Sequence, residues 1–345
     1  MTKITRRTFG LLAGGGAAAL TLGTRPAAAA GQVVVGTWGG DYQNLQQQHI
    51  ADPLMKPKNI EVVFATGNDT ERKVKLMAEK RLPRGSMDIA CLTQSGAYEM
   101  HKNGTLEEID FSKIPNAKHI VPQLKTTYSV PHIYTGRVIL YNPKMIKTAP
   151  TSYADLWKEE NKGKVGVIDI QYQTTIESAA MISGGSLHDY EPGKAKLLEL
   201  KKMGVKIYPT NEAMAQALKT EEVGMCIMWR ARGVMWQNAG VPVEIAYPKE
   251  GLVIYVSEMT LTKNTRNKDA AYAYLNAILD PGPQVNFAKY MGYTPTVDNV
   301  KIEGELGPRV MFTPEVQKTF MVQDQEYLAK NDPQLQEWWN KVFKG

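Results

Sequence analysis

The sequence predicts a two-lobed α/β protein with a ligand cleft between its lobes, on three observations. Short apolar runs alternate with helix-patterned segments along most of the chain, which implies parallel sheet with helices on its faces. About 315 residues follow an export-like leader, enough for two cores rather than one. No repeat, low-complexity stretch or floppy linker divides them, so the lobes should be joined by extended segments that cross between them.

The leader comes first. Arg6 and Arg7 precede a weakly apolar stretch over 10–23, then Arg25-Pro26 and alanines up to Ala30. A charged start, an apolar middle and a small-residue end are the parts of a signal peptide, and the paired arginines add a twin-arginine signature. Residues 1–30 are therefore expected to be a cleaved signal, with a periplasmic mature chain. The apolar part is too short and too rich in Gly and Ala for a bilayer span of ~20 residues. The charge of +6 falls to +2 once Lys3, Arg6, Arg7 and Arg25 are set aside. The basicity is thus largely a transport feature, and no nucleic-acid partner is expected.

In the mature chain, 33–36 reads as a buried strand, and Trp38-Gly39-Gly40 as a tight turn into a helix beginning near Asp41. Strand 60–64, helix 70–80 and strand 87–92 follow, the last ending in a polar loop Thr93-Gln94-Ser95-Gly96. Strand 136–141 comes next, then a short helix over 152–157 with Ser152 as its cap. Segment 163–168 is a strand, 174–181 and 195–203 are helices, 205–208 is a strand and 211–220 a helix. Strand 224–229 runs straight into Arg230-Ala231-Arg232, and strand 251–256 leads to Ser257. Helices 270–279 and 285–291 are separated by Asp280-Pro281-Gly282-Pro283, and an amphipathic helical tail covers 314–343. The crossings are expected near 133–139 and 246–256. This divides the chain into lobe 1 (31–134 plus about 255–310), lobe 2 (about 135–254) and C-terminal helices (about 311–345) packing across or beside the lobes.

Recognisable catalytic chemistry is absent. There is no His-Glu-x-x-His pattern, paired-cysteine spacing, Gly-x-Ser-x-Gly elbow or phosphate loop. The five histidines are scattered without metal-ligand spacing. Cys91 and Cys226 both lie in apolar strand-like runs and read as two separate buried thiols, with a disulfide as the alternative. No cofactor is expected, and the chain is not expected to be an enzyme.

Landmarks spread along the chain then carry a resemblance. They are the strand and turn ending at Trp38, Val130-Pro131 before Gly136, Tyr141-Asn142, and Cys226-Ile227-Met228-Trp229. Pro248-Lys249-Glu250-Gly251 and Gly292-Tyr293-Thr294-Pro295-Thr296 complete the series. In this order they resemble a periplasmic solute-binding protein of an ABC importer, in the extended spermidine/putrescine-binding family. The resemblance spans nearly all of 32–343. It implies the type II-like periplasmic-binding-protein fold, a small organic solute as ligand, ABC permease membrane subunits as partners, and a monomer.

The resemblance also implies an aromatic-lined cleft in which Trp38, Tyr42, Trp229 and Tyr255 face the ligand, with Tyr134 and Tyr293 as secondary positions. The logic holds physically, since aromatic faces supply apolar area and attract cations. The departures matter more. Ser257 stands where polyamine binders place a carboxylate, and the 169–173 loop, ending in Gln173, offers only Asp169 before Glu177. Arg230 and Arg232 follow Trp229 directly, and they share a face if the strand continues. A polyamine would meet too few anions there. The expected ligand is therefore zwitterionic or anionic, its carboxylate or phosphonate clamped by Arg230 or Arg232. Asp169 would hold an amino group, and Thr93, Gln94 and Ser257 would give neutral hydrogen bonds. Polyamine binding, ferric-ion binding and an exported lyase or hydrolase remain as alternatives.

Overall fold

The computed structural model describes residues 31–345; the signal-peptide and twin-arginine readings lie outside the described residues. Strand β1 (Gly31–Thr37) leads through Gly39-Gly40 to helix α1 (Asp41–Gln46). Gly40 has φ 64°, a left-handed conformation that a side chain disfavours, which is why the turn needs glycine. Strand β2 (Ile60–Thr66), helix α2 (Asp69–Glu79), strand β3 (Ile89–Thr93) and helix α3 (Gln94–Lys102) follow. The expected polar loop at 93–96 is instead the start of α3. The Thr93 hydroxyl accepts from the Gly96 N–H at 3.1 Å and caps the helix directly off the strand.

Strand β4 (Val130–Tyr141) is the long crossing segment. After it come β5 (Val165–Ile168), α4 (Tyr172–Met181), α5 (Glu191–Lys202), β6 (Lys206–Tyr208), α6 (Asn211–Lys219), β7 (Met225–Trp229), α7 (Arg230–Asn238) and β8 (Glu244–Ala246). The chain returns through β9 (Leu252–Leu261), α8 (Lys268–Ala277), α9 (Pro281–Met291) and β10 (Thr294–Pro295). It ends with α10 (Leu306–Val310), α11 (Pro314–Gln317), β11 (Phe320–Met321) and α12 (Gln325–Trp338). The tail is not one helical stretch, because β11 leaves it to pair with β9.

The strand order is β2-β1-β3-β9-β4-β7-β5-β6. β1 pairs in parallel with β2 and β3, and β5 with β6 and β7, as the alternating pattern requires. The crossings are antiparallel. β4 pairs with β9 through 130–136 and with β7 through Arg137 to Tyr141, so one strand belongs to both lobes. Each lobe has its own core. Val33, Val35, Ile89, Cys91 and Phe287 lie in one, and Ile139, Ile176, Leu197, Trp339 and Phe343 in another. Both cysteines are buried and unpaired.

The expected strand continuation past Trp229 does not occur. α7 starts at Arg230, where the Ala231 N–H donates to the Thr135 hydroxyl at 3.1 Å rather than to a strand neighbour. On a helix, positions two apart lie about 200° around the axis, so Arg230 and Arg232 point in different directions.

Candidate functional site

A cleft of about 480 Å³ opens between the lobes, lined from both sides. From the first lobe come Trp38, just past the end of β1, and Tyr42, in the first turn of α1; their rings meet edge to face at 5.3 Å. Tyr255 and Ser257 are alternate residues of β9 and therefore share its cleft face, and Thr93 is registered beside Ser257. From the second lobe come Trp229, at the end of β7, Arg232 on α7 and Asn211 at the start of α6. Trp229 and Tyr255 approach to 5.2 Å between ring centroids, so the aromatic surface is continuous across the gap. Tyr293 is delivered by Gly292, which ends α9 at φ 69° and where a Cβ would stand 2.9 Å from the Ala231 carbonyl oxygen.

Behind the cleft floor, the Tyr42 hydroxyl meets His132 Nδ1 at 2.7 Å, Ser257 Oγ at 3.2 Å and Cys91 Sγ at 3.2 Å. Burial pushes the His132 imidazole down to about 3 and the Cys91 thiol up to about 11, and it raises the Tyr42 and Tyr255 phenols well above their ordinary value. Near neutral pH the floor is therefore a set of uncharged hydrogen-bonding groups, without thiolate or imidazolium. Among the described residues lining the cleft, only Asp41 and Arg232 carry charge. Arg232 lies 3.7 Å from an exposed Glu212 carboxylate, a loose surface pair that leaves the guanidinium available.

Of the positions expected from sequence, the structure brings Trp38, Tyr42, Thr93, Trp229, Arg232, Tyr255, Ser257 and Tyr293 to this cleft. It takes four elsewhere. Arg230 is fully buried: it donates to the Met311 carbonyl at 2.8 Å, the Thr294 hydroxyl at 2.9 Å and the Val310 carbonyl, and stacks 3.5 Å over Phe312. Asp169 accepts from Trp339 Nε1 at 2.6 Å and Lys344 Nζ at 2.9 Å. Burial pushes its carboxyl up, but these two bonds outweigh that and hold it below its usual range. Gln173 donates to Asp332 of α12, and Gln94 opens α3 beside Thr93 without lining the cleft. Tyr134, a secondary position, packs against Phe312 and Phe320 instead.

Sequence reasoning missed Asp41, Asn211, Ile170, Met235 and Met291 as lining residues. The sequence marks Asp41 and Asn211 only as helix starts, and a helix start at a strand's C-terminal end is where an α/β cleft collects its side chains. Among the described residues no group of three or more His, Cys, Asp or Glu side chains is placed to hold a metal ion. No helix among them is long and apolar enough to cross a membrane.

The family described as "Bacterial extracellular solute-binding protein" matches residues 49–339. A curated relative, the spermidine/putrescine-binding periplasmic protein of Escherichia coli (strain K12), is 26% identical over 304 residues, covering 85% of this chain and 83% of the relative. A solved ABC transporter structure from Clostridium perfringens ATCC 13124 superposes with a TM-score of 0.78 at 26% identity, over 90% of this chain and 99% of that one. A solved GABA receptor shares the fold at TM-score 0.79 and 22% identity, over 91% and 98% of the two chains.

Proposed function

This chain belongs to the bacterial extracellular solute-binding proteins, as a spermidine/putrescine-binding-like component of an ABC importer, and from that premise we propose that its solute is a small zwitterion. The family and the fold bind solutes outside the cytoplasm without catalysing a reaction. The observation that carries the finer reading is the charge of the cleft: one carboxylate, Asp41, and one guanidinium, Arg232, in a lining otherwise uncharged and rich in aromatic rings. Arg232 holds the solute's carboxylate, or a phosphonate, in a fork, and Asp41 holds its ammonium. Trp38, Trp229 and Tyr255 pack the carbon chain, while Thr93, Asn211 and Ser257 give neutral hydrogen bonds. Asp41 takes the role first expected of Asp169, which is engaged by the C-terminal segment.

Capture brings together groups from both lobes, so closure excludes water and presents a shape to the membrane permease subunits. In this reading the lobes are residues 31–134 with about 255–310, and about 135–254; the pairing of β3 with β9 supports the first of these. The protein works as a monomer and takes no nucleic acid.

The alternative is a polyamine, since curated relatives carry that name. A diamine would have one carboxylate for two ammonium groups and would face Arg232 as well. Calorimetric titration decides between them. Micromolar or tighter binding of an ω-amino acid or aminophosphonate is expected, with putrescine and spermidine at least tenfold weaker; tight polyamine binding with no response to zwitterions sinks the reading. Trp229→Ala should weaken binding of the preferred solute by about tenfold to a hundredfold while leaving the protein folded, since a stacked aromatic contributes roughly 1.5 to 3 kcal/mol through its area.

A further inference from the structure

Both cleft tryptophans carry a buried arginine. The Arg72 guanidinium lies 4.6 Å from the Trp38 ring centroid, and that of Arg137 lies 5.2 Å from the Trp229 ring centroid. Both tryptophans line the cleft and neither arginine does, so each arginine meets its ring from outside the lining. The two come from opposite walls and from unrelated elements, α2 and β4.

Their surroundings differ: Arg72 has no carboxylate partner, whereas Arg137 is half of a fully buried ion pair with Glu177. Arg72 is 3% exposed; its Nε donates to the Cys91 carbonyl and its Nη1 to the Gly67 carbonyl, each at 2.6 Å, while Nη2 has no protein partner. Among the described residues no carboxylate lies within ion-pairing distance of it. The nearby acids of α2 are committed elsewhere: Asp69 accepts from the Thr93 N–H at 2.9 Å, and Glu71 accepts from the Asn68 N–H at 2.8 Å. Arg137 is fully buried, and its Nη1 donates to Glu177 Oε2 at 2.6 Å. Its Nε and Nη2 have no protein partner. Gln323 donates to the same Glu177 oxygen at 2.8 Å.

We propose that Arg72 and Arg137 are specificity-determining residues of the cleft: by laying a guanidinium behind each ligand-facing tryptophan, they turn an aromatic box that would attract polycations into one that rejects them. A ring attracts a cation through the negative charge of its faces. With one cation already bound to the ring, a ligand ammonium on the other side meets a weakened face and, at Arg72, direct repulsion through a medium of low dielectric. At Arg137 the Glu177 carboxylate largely offsets that repulsion. A carboxylate or an alkyl chain suffers no such loss, so the device acts on the difference between ligands, which is what specificity is. The proposal rests on the zwitterion reading for its biological sense, but its physics is testable without it.

The test uses full-length mature protein and two probe series matched in chain length: ω-amino acids and α,ω-diamines of four to six carbons. Dissociation constants are measured by calorimetry for the wild type, Arg72→Gln, Arg72→Lys and the double variant Arg137→Met with Glu177→Met. The ratio of diamine to amino-acid dissociation constants should fall about three- to tenfold in Arg72→Gln and in the double variant, the size expected of a partly desolvated cation–π contact. Arg72→Lys, which keeps the charge, should stay near the wild-type ratio. A ratio unchanged in folded variants, or equal weakening of both series, overturns the proposal, because a merely structural arginine would weaken both alike. If Arg72→Gln fails to fold, the double variant carries the test, since buried ion pairs replaced by apolar side chains commonly leave a folded protein. A wild type that prefers diamines defeats the zwitterion reading, while the shift of the ratio still judges the arginines.

Discussion

Arg230 and Arg232 stand two positions apart and do opposite things. Arg230 ties α7 to the carbonyls of Val310 and Met311, whereas Arg232 is half-buried at the cleft. Burial disfavours the charged form of Arg230, so its hydrogen bonds must hold it there. Arg230→Met should lower unfolding free energy by about 2 to 4 kcal/mol, since it strands several buried acceptors, with little direct effect on which solutes bind. Arg232→Gln should change stability by less than about 0.5 kcal/mol, as exposed ion pairs do, yet weaken a carboxylate-bearing solute about tenfold to a hundredfold. Urea unfolding and calorimetry on the two variants check the contrast. The residue types were legible in the sequence, and their assignment was not. It hinges on β7 ending one residue before Arg230, and propensity alone does not place an element boundary that closely.

At the scale of elements, the C-terminal segment shows where sequence reading stops. The amphipathic pattern around Leu328, Leu335 and Trp338 correctly announced helix, and Leu328 and Leu335 are buried in α12. Its destination could not be read, because nothing local marks Asp169 as the partner of Trp339, 170 positions away. A loop carboxylate beside a suspected ligand site and one serving as an anchor look alike in one dimension. Trp339 is 1% exposed and packs against Phe343 at 4.4 Å between centroids. Trp339→Ala should therefore cost about 3 to 5 kcal/mol, seen as an earlier urea midpoint. The same effect makes Asp169→Asn a stability variant rather than a binding variant; loss of solute affinity with unchanged stability would contradict that assignment.

For the whole molecule, pH reports on the strands that join the lobes. Glu258 of β9 is buried at 1% exposure; the Ser129 hydroxyl donates to its Oε2 at 2.8 Å, and Oε1 has no protein partner. Burial raises its carboxyl to about 7 from 4.5, against the smaller opposing effect of the Ser129 bond. The folded state then binds a proton that the unfolded state lacks, so this contribution to stability is full below pH 4.5 and is lost as pH rises through about 7. His132, at the bulge of the neighbouring β4, acts in the opposite sense. Burial lowers it to about 3 from 6.5, so its contribution is present above pH 6.5 and is lost as pH falls towards 3. Between 4.5 and 6.5 the two slopes oppose each other and the wild-type profile should be shallow. Glu258→Gln should uncover the His132 rise in that window and stabilise the protein at pH 8 by on the order of 2 to 3 kcal/mol. Denaturant titrations at pH 5, 6.5 and 8 test this; a variant profile parallel to wild type would contradict it.

The position of β9 has a consequence for the order in which the protein is made. β9 lies between β3 and β4, although more than a hundred residues of chain separate it from either in synthesis. A ribosome that has delivered β1 to β4 has made most of the first lobe's sheet, but with β3 open along one edge and β4 lacking its partner over 130–136. Those edges can be filled only once the second lobe has been translated and Leu252–Leu261 emerges. Until then they are unpaired templates of the kind that nucleates aggregation. The lobe begun first is therefore the lobe completed last, and a chain arrested before Leu252 should be insoluble where the full chain is not.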